Sequence, residues 1–377
     1  MKAYLFTTFT LLLVVLFALP TASAQNWRNI EGDIASGNHS IFRPLADWPD
    51  ANDYRSASGA PGARYWQQRA DYVIEAEIDT VNHVMTGSER ITYHNNSPDE
   101  LGFLWVQLDQ NVRSLEHSRS YQMQGALPEN ISPGFRRFVG VGQFDGGYEI
   151  TRVQLVDDAG RLVDTSFRIR DTIMRVNLAE PLAAGSSMSF DIDWSYRIPD
   201  SGRGGKEMVR DGWLYEMAQW FPRMSVYDDV NGWQTEQFIG RGEFYLNFGD
   251  YDVKLTVPWN HIVDATGELQ NPEDVLTEDQ MQRLEAAYQS EEPVYIVGPD
   301  EVMTPESRPV QRGMLTWHYV AKDVRDFAWA SSKTDIWDAA GYDYKDGGPI
   351  VKAHSLYPKD ASPLWDKVST RATIVTL

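Results

Sequence analysis

The sequence predicts a mainly β protein, with an N-terminal β-sandwich in a saddle-like arrangement of sheets. Three observations carry that expectation. Short apolar–polar alternations recur from Tyr65 onward, each bounded by Gly, Asp or Asn clusters. Aromatic residues make up 12% of the 377 positions, with 13 Trp, and large rings favour strands and sheet cores. Between the strands, one segment carries a clear helix start.

Tyr72, Ile74, Ala76 and Ile78 alternate with polar neighbours, which predicts a half-buried strand. Ile91 and Tyr93 repeat the pattern after Gly87, and 103–108 is a more continuous apolar run. Further strands are expected at 148–156, 173–178, 188–196, 244–248, 251–257, 294–297 and 315–321, with Asp157 to Gly160 as a turn. The helix starts at Thr277, which forms a capping-box pair with Gln280 and places Met281, Leu284 and Tyr288 on one face. Its surroundings, 268–310, are Pro-containing and acidic, and read as an insertion between strands.

The first 24 residues read as a secretory signal. Lys2 supplies a positive start, 11–19 are apolar, and Ala22-Ser23-Ala24 fits cleavage after Ala24. The alternative, an uncleaved anchor, needs a span of roughly 20 apolar residues, longer than this one. An exported product, periplasmic or secreted and free of the membrane after cleavage, is expected. Residues 25–64, rich in Asn, Asp, Ser, Pro and Gly, form an extended lead-in, and 65–331 form the sandwich domain. A new composition begins at 332. There a turn-rich stretch (341–348) and a short strand (350–353) precede an amphipathic helix opening at Ser362-Pro363. Its apolar positions, Leu364, Val368, Ala372 and Val375, still follow helical spacing near Leu377. Such a face predicts exposed apolar surface over 350–377.

The net charge is −20, and losing Lys2 with the signal makes it one unit more negative. So acidic a surface repels phosphate backbones and excludes nucleic acid as a partner. The chain has no cysteine, so disulfides, thiolate metal sites and thiol nucleophiles are excluded.

Local motifs for catalysis are lacking. None of the seven histidines begins the His-Glu-x-x-His spacing that points two imidazoles at one zinc ion, so no metal ligand and no catalytic residue is assigned. Asp228-Asp229 lacks the alternating oxygen ligands of a calcium loop and reads as a turn cap or as partner to Arg223. Gly202 to Lys206 lacks the Ser or Thr of a phosphate-binding loop and reads as a flexible hairpin tip. No Gly-x-Ser-x-Gly elbow occurs. Glu216 and Gln219, set among aromatic residues, are candidates for a small-molecule subsite, against the plainer reading of solvated groups at a sheet edge.

The densest run is 217–229, Met-Ala-Gln-Trp-Phe-Pro-Arg-Met-Ser-Val-Tyr-Asp-Asp, followed by Gly232-Trp233. Ordinary packing does not demand so many Trp, Pro, Arg and Asp together. With this run, 54–59, 65–72, 91–99, 104–111 and 324–332 resemble the front portion of zinc aminopeptidases of the aminopeptidase N family (the gluzincin group). The likeness is to the secreted or periplasmic bacterial branch and covers nearly all of 40–377. It implies a β-sandwich domain ahead of a thermolysin-like catalytic domain, whose first strand and helix would be Ile350 to Leu377. It also implies that Glu216 or Gln219 helps bind the first residue of a peptide substrate. In the family, zinc polarises the scissile carbonyl and activates water. The Gly-x-Met-Glu-Asn-type element, the His-Glu-x-x-His helix and the later zinc-binding Glu are not in these 377 residues. The expectation is therefore an inactive N-terminal fragment with no cofactor of its own. Zinc, peptide substrates and the missing catalytic domain would belong to a full-length relative. The rival expectation is a non-catalytic β-sandwich module that binds peptides or carbohydrates through exposed Trp residues.

Overall fold

The computed structural model describes residues 51–117, 144–200, 204–240, 245–345 and 347–376. The expected signal segment lies outside them. The chain divides into two units, 1–63 and 64–377. In the first, the Asn52 side chain accepts from the backbone N–H groups of Tyr54 and Arg55, and Arg55 bridges to Pro61.

The second unit is mainly β. It opens with β1 (Arg69–Asp79), β2 (Val84–His94) and β3 (Leu101–Gln107). Next come β4 (Glu149–Val156), β5 (Leu162–Asp164), β6 (Phe167–Arg170), β7 (Ile173–Leu182) and β8 (Ser187–Arg197). β9 (Gly205–Val209) and β10 (Gly212–Met217) form a hairpin. Three two-residue strands follow, β11 (Arg223–Met224), β12 (Tyr227–Asp228) and β13 (Gly232–Trp233). Then come β14 (Gly249–Pro258), β15 (Ile262–Ala265) and β16 (Glu268–Leu269). Helices α1 (Pro272–Val275) and α2 (Glu278–Ala287) separate these from β17 (Val294–Val297). The last elements are β18 (Met314–Val324), β19 (Trp329–Ser332), β20 (Asp335–Asp343), β21 (Ile350–Pro358) and α3 (Val368–Thr376).

The largest sheet has eight strands in the order β16-β18-β14-β1-β2-β8-β4-β5. Its inner face follows the sequence alternation: Tyr72, Ile74, Ile78, Ile91, Tyr93, Phe190, Ile192 and Trp194 are buried. Gly87 lies opposite Trp194, and a Cβ there would sit 2.4 Å from the indole ring, so this pairing needs glycine. A second sheet, β11-β3-β7-β6, holds Leu104, Val106, Met174 and Val176 in the same core. Two more sheets, β15-β19-β10-β9 and β17-β20-β21, carry the later residues.

Several expectations are corrected. Residues 245–248 form no strand; regular pairing starts at Gly249. Phe248 instead contributes its carbonyl to the Ala70 N–H and its ring to the Arg325 guanidinium, 4.6 Å away. The short strand at 350–353 runs on to Pro358, because β20 pairs with it residue for residue. The last helix starts at Val368, with Leu364 and Trp365 ahead of it, where Asp338 accepts from the Lys367 N–H and the Thr370 hydroxyl. Ile350, Leu364, Trp365, Val368 and Val375 are all exposed, as the pattern predicts. Residues 204–206 do not form a solvated tip. Lys206 lies in β9, buried, ion-paired with Asp200 and 4.8 Å from the Trp213 ring centre.

The dense run 220–226 is core. Trp220, Phe221, Arg223, Met224, Ser225 and Val226 are each at most 2% exposed. The Trp220 indole donates to the Phe327 carbonyl at 2.8 Å and packs edge-on against Trp194 and Trp329. Arg223 makes ion pairs with Asp109 and Asp326. Asp228 caps its own turn, accepting from the Val230 and Asn231 N–H groups. Packing thus accounts for much of the run's composition, contrary to expectation.

Candidate functional site

Glu216 is the second-last residue of β10. Its cross-strand partner is Ala330 on β19, and Ala330 in turn pairs with Asp264 on β15. Strand periodicity puts Glu216, Ala330 and Asp264 in one row on one face, while Tyr215, Met217 and Trp329 turn to the buried face. The row borders an open groove of about 500 Å³. Ala218, Ala265 and Ala328 leave its floor low, Met217 and Trp329 border it with their side chains turned inward, and Leu356 and His354 close one side.

The Glu216 side chain is exposed and its carboxylate has no hydrogen-bond or ion-pair partner among the described residues. Asp264 is held firmly. Its Oδ1 accepts from His354 Nδ1 at 3.0 Å. With Asp264 ionised, Nδ1 carries the proton, and Nε2 accepts from the Tyr288 hydroxyl at 3.0 Å. Tyr288 also stacks on the imidazole, with ring centres 5.8 Å apart. Burial holds its hydroxyl above the usual phenol range, so it stays a donor. Tyr288 reaches this place because Gly341 on β20 admits its backbone; a Cβ at 341 would lie 2.2 Å from the Tyr288 carbonyl oxygen.

Behind the groove lies Asp335, fully buried. Burial pushes its carboxyl up to about 7, and the Glu216 charge adds to the rise, against hydrogen bonds from Thr334 and Ser332. Its Oδ2 has no partner among the described residues.

Of the two residues named from sequence, the structure brings Glu216 to the groove. Gln219 lies past the end of β10, in left-handed backbone (φ 55°), half-buried. Its carbonyl accepts from Gln110 Nε2 at 2.9 Å, and its side chain does not line the groove. Asp264, His354, Tyr288 and Asp335 were not named as site residues from the sequence. The one available signal was a charge inside the apolar run Ile262-Val263-Asp264-Ala265.

Zinc does not fit the residues present. Among the described residues no three His, Asp or Glu side chains converge on a point that could hold a metal ion. His83, His94, His261, His318 and His354 each engage a different partner, and both ring nitrogens of His354 are taken. His261 is buried against Ser331, and desolvation, with Arg308 and Lys333 adding to it, pushes its imidazole down to about 3. No helix among the described residues is long and apolar enough to cross a membrane.

No family model matches the sequence, and no curated protein matches it. Similar solved structures include a two-domain M1 zinc metallopeptidase mutant bound to L-tryptophan, with 10% identity and a TM-score of 0.40. Another is an M1 zinc metallopeptidase from Deinococcus radiodurans, with 12% identity and a TM-score of 0.39. Each match covers 82% of this chain and 51% of the other. The chain therefore spans about half the length of these structures. Values this low assign neither family nor activity.

Proposed function

We propose that this chain is the non-catalytic, amino-terminus-receiving portion of an exported zinc aminopeptidase. One observation carries the reading. Glu216 presents an open carboxylate to a groove of about 500 Å³ whose remaining walls are mostly apolar. A carboxylate so placed can accept charge-assisted hydrogen bonds from the α-ammonium of a peptide, while the apolar walls take its first side chain. The resemblance of 217–229 to aminopeptidase N enzymes supports the same role for this position.

In this reading 65–331 form the receiving domain, and 332–377 lead into a catalytic domain that these 377 residues do not include. Zinc, water activation and the general base would come from that domain, and no chemical step is assigned to the present chain. Cleavage after Ala24 would release it to the periplasm or medium. The rival reading, a module binding through exposed Trp residues, lacks a platform among the described residues, where Trp365 is the exposed one.

Calorimetric titration of the purified chain with leucine amide and N-acetyl-leucine amide tests the proposal. The free amine should bind, and acetylation or Glu216→Gln should each abolish most of the binding. Equal binding of both ligands would refute the role given to Glu216.

A further inference from the structure

The groove offers two anionic positions, and the proposal above uses one. Glu216 and Asp264 stand on the same face, separated by the single strand β19. Two strand spacings put their backbones about 9–10 Å apart. Between them lies only the methyl group of Ala330. Asp264 is 22% exposed, and its Oδ2 has no partner among the described residues. The His354–Tyr288 chain fixes the carboxylate by its other oxygen, so Oδ2 is held in place at little entropic cost on binding. No Lys or Arg lines the groove. Lys352, 4.9 Å from the Tyr288 ring centre, is tied to Glu268 at 2.9 Å.

Two fixed anions at this separation fit a ligand with two cations. Lysine is such a residue: its four-carbon stem sets its two amines about 6–7 Å apart. Arginine places a guanidinium at a similar reach. Leu356 and Ala330 give apolar surface for the methylenes. We propose that the groove selects peptides whose first residue is basic, Glu216 taking the α-ammonium and Asp264 the side-chain cation. This inference rests on the reading of Glu216 given above and adds the substrate class. A first residue with an acidic side chain would face Asp264 and be rejected.

The test compares lysine amide with norleucine amide, which has the same chain without the cation, by calorimetry on the full chain at low salt. The wild type should bind lysine amide about fivefold or more tightly than norleucine amide. Asp264→Asn should bring that ratio close to one. A wild-type ratio near one overturns the inference, and needs no variant to fold. A high ratio that survives Asp264→Asn also overturns it, since the cation would then be held elsewhere. The Glu216 reading is scored separately, by norleucine amide against its N-acetyl form. Loss of that difference sinks both claims, whereas its persistence with equal lysine and norleucine binding sinks only this one.

Discussion

Residues 215–226 are one short stretch with two opposite ends. At the far end, Trp220 to Val226 are sealed in the core, and Arg223 meets Asp109 and Asp326 away from water. At the near end, Glu216 stands in an open groove with no partner among the described residues. A few residues along the chain separate a charge paired with two carboxylates in the core from a charge left available. Paired groups in the core hold the fold, while an unpaired group at a cavity is free to meet a ligand. The core has its own exception in Glu89, fully buried, with neither oxygen partnered among the described residues. Burial pushes its carboxyl well above the usual range, since desolvation disfavours the charged form.

Substitutions should separate the two ends. The largest effect is expected for Arg223→Ala, which strands Asp109 and Asp326 without their cation. A loss of about 3–5 kcal/mol in urea denaturation is expected. A loss under 1 kcal/mol would show that the sealed end does not hold the fold. Next is Asp335, behind the groove. Its folded-state value of about 7 lies above its ordinary one, so the unfolded chain releases the proton first as pH rises. Taken alone, the Asp335 contribution should be full below pH ~4 and should fall by about 1.4 kcal/mol per unit up to pH ~7, against the opposite slope of His261, whose depressed value costs stability as pH falls below ~6.5. Asp335→Asn should therefore make stability rise more steeply with pH across that window, and an unchanged slope would exclude Asp335 as a contributor. The smallest effect on folding is expected at the open end. Glu216→Gln should shift stability by no more than about 0.5 kcal/mol, as exposed substitutions do, while ammonium binding is lost. A large destabilisation would mean that Glu216 serves the fold after all.

The strands were legible because burial imposes alternation on each one locally. Tyr72, Ile74, Ile78 and Ile91 all face inward as their spacing predicts. The capping box at Thr277 and Gln280 was equally legible, being written within four residues. The groove was not. Asp264 and His354 lie 90 residues apart, and Tyr288 and His354 lie 66 apart, so no local spacing marks them as neighbours. Arg223 shows the same limit. Its expected partners were a few residues away, yet Asp326 and Asp109 meet it from 103 and 114 positions off. Glu216 could be named because it stands among aromatic residues and because the run beside it resembles a known family. Its neighbours on β15 and β21 carry no such mark.

The eight-stranded sheet has one consequence for how the protein is made. β1 and β14 lie side by side and run in the same direction, and Glu75 meets Lys254 across 179 positions. On a ribosome adding about 5–20 residues per second, the first strand waits roughly 9–36 s for that neighbour. Through that interval an apolar edge is on offer to any passing chain, so a holding chaperone has its natural place before residue 258 emerges, and little to do afterwards.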